Sequence, residues 1–198
     1  MAKTDQNHRK TSRIGSLNFY NPSLPYLALS FALYLWFGKL DNLPQENPMQ
    51  NVKKINDKIA IAMTPLTPED LQEAAQSGYK SVMNLRDPGE QGFIRYEGSQ
   101  ADIRGLEYVN LPVKPDQLNE ELADRVMQQI DALPKPTLIH CKSGLRSGMM
   151  GLMNVAIHEG MSPEDAMQKG KEMGLDCEGK PQMKEFFKTY VSSHAKTS

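Results

Sequence analysis

The chain has 198 residues, 39% of them hydrophobic and 24% charged, with a formal net charge of −1. That length suits one folded domain plus appendages. The charges are mixed and no basic stripe interleaves with aromatics, which excludes a nucleic-acid-binding surface. Two cysteines and four scattered histidines exclude a disulfide framework and a zinc site, because no CxxC pair occurs.

Residues 1–22 form a basic and polar segment carrying Lys3, Arg9, Lys10 and Arg13. No charge occurs from Ile14 to Gly38, and residues 23–40, "SLPYLALSFALYLWFGKL", read as a hydrophobic helix. It is apolar all round, with no polar face for water. Extended to Leu40 it approaches the ~20 residues of a membrane span. Tyr26, Tyr34 and Trp36 suit a membrane interface. Two readings stand: a retained anchor that attaches the protein to a membrane or a membrane-protein partner, or a helix packed on the domain or on a partner. Without the anchor the expected location is cytoplasmic, where a thiol stays reduced. Residues 41–51, "DNLPQENPMQN", read as a linker, so the folded domain spans 52–198.

Within that domain "KIAIAM" (58–63) reads as a strand. "TPEDLQEAAQSG" predicts a helix capped by Thr67, with Pro68 at its first position and Gly78 ending it. "KSVMNLR" (80–86) is a strand broken by "DPGEQG". "RYEGSQADIRG" is partly helical, and "EYVNLPV" (107–113) is a further strand. Leu118, Leu122, Val126, Met127, Ile130 and Leu133 fall close to helical spacing, and Pro134 and Pro136 stop that helix. "TLIHC" is a short buried strand. Three helices follow, in "RSGMMGLMNVAIHEG", "SPEDAMQKGKEMG" (capped by Ser162) and "KPQMKEFFKTYVSS". Strands alternating with helices predict an α/β domain: a mostly parallel sheet flanked by helices on both faces.

In such sheets the reactive loop lies at the carboxyl end of a strand, before a helix. Cys141 occupies that place in "TLIHCKSGLRSG". A helix beginning near Ser147 lets the amides of residues 142–147 converge on an anion, and the same field favours a thiolate. Gly144 lets the backbone curl. Arg146 offers a bidentate clamp, Ser147 can hydrogen-bond the sulfur or cap the helix, and His140 can orient the loop through its ring. A lone cysteine is ordinarily a small buried hydrophobe. That reading suits Cys177, whose neighbours "GLDCEG" carry no such chemistry.

"IHCKSGLRSG" resembles the phosphate loop of cysteine-dependent tyrosine and dual-specificity phosphatases. With "TPEDLQEAAQSGYKSVMNLRDPGE", "GLEYVNLPV" and "EGMSPEDAM", the chain is similar over roughly residues 52–178 to the phosphatase-like domain fused to beta-lactamase-type hydrolases in bacteria. The resemblance implies Cys141 as nucleophile and Arg146 as oxyanion clamp. It implies a cradle of the amides of Lys142, Ser143, Gly144, Leu145, Arg146 and Ser147, with Ser147 aiding release of a cysteine-bound intermediate. It also implies an aspartate acid on the loop before the long helix, best matched by Asp116. Asp116 suits an N-cap for that helix equally well. Asp87 and Glu90 are the alternative acids, or turn formers. The substrate would be a small anionic molecule or a phosphoprotein, and no cofactor or metal is called for, because the thiolate supplies the covalent step.

One feature departs from that pattern. Four residues separate Cys141 from Arg146, one fewer than in tyrosine-type phosphatases, and this is the rhodanese length. The flanking segments nevertheless make phosphomonoester hydrolysis through a cysteinyl-phosphate the expected activity. The alternatives are sulfur transfer through a persulfide on Cys141, or a non-catalytic, membrane-attached module that binds an anion or a protein.

Overall fold

The alternating strand and helix signals assemble into one five-stranded sheet with helices on both sides. The structure is a computed structural model that describes residues 49–175 and 179–194. The strands are β1 (Val52–Lys54), β2 (Ile59–Ala62), β3 (Ser81–Asn84), β4 (Glu107–Asn110) and β5 (Thr137–His140). The helices are α1 (Pro68–Gln76), α2 (Glu97–Ile103), α3 (Glu120–Ala132), α4 (Leu145–Glu159), α5 (Pro163–Glu172) and α6 (Pro181–His194). The strand order is β1-β2-β5-β3-β4. Only β1, a short edge strand that the sequence pattern does not predict, is antiparallel; the other pairings are parallel.

Every residue of β2, β3 and β5 is buried, as a parallel sheet covered on both faces requires. Successive side chains alternate between those faces. Ile59, Ile61, Met83, Leu85, Ile139 and Cys141 belong to a core shared with α3, α4 and α6. Ala60, Ala62, Val82 and Leu138 belong to a second core with Leu71 and Ala74 of α1 and Ala101 of α2. The two layers place Cys141 on the α4 side.

Local signals account for most boundaries. Thr67 and Asp70 form a reciprocal capping box at the start of α1, with Pro68 in the first turn. Ser162 caps α5 by accepting from the Asp165 amide. The long helix differs from expectation at its start. Its N-cap is Asn119, whose side chain accepts from the Leu122 amide at 2.8 Å. Asp116 instead sits exposed in a 3-10 turn, Pro115–Gln117. The capping role considered for Asp116 is thus filled three residues later, because the chain needs that turn to leave β4 before the helix begins.

Helix α4 is the central element; Ser147 to Ala156 are all buried. A β-carbon on Gly151 would lie 2.8 Å from Ile55 Cδ1 and 2.9 Å from Ile61 Cδ1. Only glycine lets this helix lie so close to the sheet. Among the described residues no helix is long and apolar enough to cross a membrane. The hydrophobic helix expected at 23–40, the segment 1–22, most of the linker 41–51, and Cys177 lie outside the described residues.

Candidate active site

Cys141 follows the last residue of β5 and is 1% exposed. The chain then turns through Lys142 and Ser143 to Gly144, whose φ of +78° is left-handed. That conformation costs a residue with a β-carbon about 1–2 kcal/mol. Space adds a second reason, since a β-carbon there would meet the Met63 sulfur at 2.6 Å and the Met63 Cα at 3.2 Å. Gly144 is the N-cap of α4, which begins at Leu145, two residues before the expected start.

Hydrogen bonding from the Ser147 and Ser143 amides favours the ionised form of the sulfur. The Ser147 hydroxyl lies 3.6 Å from Cys141 Sγ and 3.1 Å from the Gly144 carbonyl. Burial pushes the thiol up, but these hydrogen bonds, with the Arg146 charge, outweigh it and lower its pKa.

Arg146 is nearly buried, its side chain 12% exposed. Its two terminal nitrogens grip Glu90 at 2.6 and 2.9 Å, and Nη1 also donates to the carbonyls of Leu85 and Val113 at 3.2 and 3.1 Å. Its charge also acts on the Cys141 sulfur. The Glu90 carboxylate and then the Cys141 sulfur raise its pKa, so the guanidinium stays charged. Glu90 is fixed in turn. Its Oε1 accepts from the Asp87 amide at 3.0 Å, and Arg86 Nε lies 3.5 Å from its Oε2. Arg86, 2% exposed, donates to the Gly92 and Gln91 carbonyls at 2.8 and 2.7 Å and so braces the loop that carries Glu90.

These contacts separate the three candidate acids. The Arg146 hydrogen bonds hold Glu90 down to about 2, so it stays ionised and has no proton to give near neutral pH. Asp87 is lowered by the Gly89 amide and by Lys114, which sits 3.0 Å from its carboxylate. It is a turn former that ties two loops together. Asp116 caps no helix and lines an open depression together with Glu90, Lys114 and Arg146. Of the acids considered, it is the one at the mouth without a structural task.

His140 is placed differently from expectation. It precedes Cys141 in a strand, so its ring points to the opposite face of the sheet. There Nε2 lies 2.8 Å from Glu97 Oε1, and Nδ1 has no hydrogen-bond partner among the described residues. The ring does not orient the loop by hydrogen bonds of its own. Asn84, Arg86 and Glu97 escaped the sequence reading. The only cue to Asn84 and Arg86 was that they are polar residues in the apolar run "SVMNLR"; Glu97, in the polar stretch "IRYEGSQ", carried none.

Residues 51–157 match the family described as beta-lactamase hydrolase-like protein, phosphatase-like domain. The chain belongs to that family. The phosphatase-like domain is 31% identical over 125 residues to a beta-lactamase hydrolase-like protein of Xylella fastidiosa, and that match covers 62% of this chain and 29% of the relative. The chain thus matches less than a third of the length of the curated relatives. Among solved structures the phosphatase-like domain resembles Tk-PTP in its active form, with 22% identity, a TM-score of 0.62, and coverage of 72% of this chain and 97% of that one. It also resembles P. aeruginosa TpbA, solved in complex with pTyr, with 14% identity, a TM-score of 0.55, and coverage of 79% and 88%. Both likenesses are of fold.

Proposed function

We propose that the protein hydrolyses a phosphomonoester through a cysteinyl-phosphate on Cys141. The observation that carries this reading is the placement of Cys141 between the end of β5 and the N-terminus of α4, with the Ser147 hydroxyl 3.6 Å from its sulfur and Arg146 in the first turn of that helix. Amides and guanidinium that stabilise a thiolate also hold the oxygens of a phosphoryl group and the charge that builds on them. The sulfur attacks phosphorus and the bond to the ester oxygen breaks. Asp116 gives that oxygen its proton, so the leaving group departs neutral. A water then attacks phosphorus, Asp116 takes its proton, and the sulfur leaves as a thiolate. The Ser147 hydroxyl, 3.6 Å away, steadies that thiolate.

The mouth bears on substrate class. Three carboxylates, Asp87, Glu90 and Asp116, line it against two cations, Lys114 and Arg146, and each cation is engaged by one of those carboxylates. Such a rim favours a single phosphate on a neutral or cationic body, such as a peptide, over a polyphosphate. The protein should hydrolyse an aryl phosphate, and Cys141→Ser and Asp116→Asn should each reduce turnover. Equal rates in all three would refute the proposal.

The four-residue spacer favours a second reading, sulfur transfer through a persulfide, because a tighter loop suits one terminal sulfur better than three oxygens. Exposure to thiosulfate followed by intact-mass measurement separates the two. One added sulfur on Cys141, without phosphatase turnover, would replace the first reading with the second.

A further inference from the structure

On the far face of the sheet from Cys141 lies a cluster of polar side chains in which Asn84 is 0%, His140 1% and Glu97 3% exposed. A carboxylate removed from water to this degree persists only when its oxygens are met by donors or by charge. Oε2 of Glu97 accepts from Asn84 Nδ2 at 2.7 Å and from the Tyr108 hydroxyl at 3.2 Å, and Asn84 Nδ2 also reaches Tyr108 at 3.1 Å. Oε1 meets only His140 Nε2, at an ion-pair distance of 2.8 Å that is bent away from hydrogen-bond alignment. Neither Glu97 nor His140 faces the mouth, and the phosphoryl chemistry described above uses neither.

The cluster nevertheless connects to both ends of the site. Asn84 and His140 are direct neighbours in the β3–β5 register. The His140 carbonyl accepts from the Leu85 amide at 2.9 Å, and the next residue is Cys141. Asn84 Oδ1 accepts from the Arg86 amide at 2.8 Å and so shapes the end of β3. From that end the Leu85 carbonyl accepts from Arg146. Two strand ends, one carrying the nucleophile and one holding the arginine, are thus pinned from behind by one carboxylate.

We propose that Glu97 is a positioning residue for the nucleophile. Its buried carboxylate fixes His140 and Asn84 together, and thereby the point from which Cys141 and its anion loop leave the sheet. The inference rests on the reading of Cys141 as a thiolate nucleophile, but not on whether phosphate or sulfur is its cargo.

The test is the pH profile of Cys141 alkylation by iodoacetamide in the full chain, for wild type, Glu97→Ala and Glu97→Gln, beside thermal melts and aryl-phosphate turnover. Glu97→Ala should move the alkylation midpoint upward, because the amides of Ser143 and Ser147 no longer converge on the sulfur. It should lower kcat on the order of tenfold or more with KM less affected, the size expected for a misplaced reacting group. Glu97→Gln keeps the shape and the Asn84 and Tyr108 contacts, carries the test if the alanine variant fails to fold, and should restore part of the shift. Folded variants with lowered melting temperature and a wild-type alkylation profile would make Glu97 a purely structural residue and overturn the proposal. Wild-type protein that alkylates with a depressed midpoint but turns over no phosphate would refute the hydrolase reading alone, and the alkylation series would still decide the role of Glu97.

Discussion

Arg146 holds Glu90 through both terminal nitrogens, at 2.6 and 2.9 Å, while the same guanidinium flanks the sulfur of Cys141. A long, flexible cation is thereby fixed before any anion arrives. Preorganisation of this kind is what a charge-stabilising site requires, since donors already in place need not reorganise during the reaction.

Glu90→Gln should release that grip. One oxygen still accepts from Arg146, but the charge and the bidentate geometry are lost. We expect turnover to fall by ten- to a hundredfold, on the order of the cost of misplacing a catalytic group by ~1 Å, with the fold intact by circular dichroism. Turnover equal to wild type would show that Arg146 finds its place without Glu90.

The same pair sets a pH dependence of stability. The pKa of Glu90 in the folded protein is lowered to about 2 from the ordinary 4.5. A depressed carboxylate stabilises the fold above its unfolded pKa, and that contribution is lost as pH falls through the folded value. Thermal midpoints of wild type and Glu90→Gln should therefore differ at neutral pH and converge as pH falls from about 4.5 towards 2. Partial solvent access of the pair keeps the difference small. A constant gap across that window would rule out the linkage.

Ser147→Ala removes the hydroxyl beside Cys141 Sγ and leaves the Ser147 amide in place. The thiol pKa should rise, yet stay below that of a free thiol because both amides remain. Rapid-quench kinetics should show the covalent intermediate accumulating, since the departing thiolate has lost a donor. An unchanged alkylation profile would mean that the amides alone hold the sulfur.

Asp116 and Asn119 lie three residues apart and should separate cleanly. Asn119→Ala deletes the N-cap of α3 and should cost ~1 kcal/mol of stability with little change in turnover. Asp116→Asn should do the reverse: an unchanged melt and lost turnover, most severely for substrates with poor leaving groups. A destabilised Asp116→Asn variant with normal turnover would return Asp116 to a structural role.

Gly144→Ala places a β-carbon against Met63 at a left-handed position. The backbone cost of about 1–2 kcal/mol should appear in denaturant melts, and the amides of the loop should lose their convergence. Turnover should drop more than stability does. A variant with wild-type turnover would show that the loop tolerates a different curl.

Much of the domain could be read from residues close together in the chain. Hydrophobic periodicity marked β2, β3, β5 and the helices, and Thr67 and Ser162 marked two helix starts, because a cap bonds an amide only a few residues away. The cysteine loop was legible for the same reason, its sulfur, its donors and Gly144 lying within seven consecutive residues, 141–147. Contacts between distant segments were not. Arg146 meets Glu90 across 56 positions, and His140 meets Glu97 because the strand order seats β5 beside β3. By itself the sequence determined most of the elements, though not β1, and where the cysteine loop lies. Only the tertiary structure decided that Glu90 is the arginine's anchor and that the His140 ring meets Glu97 on the far face of the sheet. Local hydrogen bonds are specified by spacing along the chain, whereas pairings across a sheet are specified by which strand ends the packed core brings together.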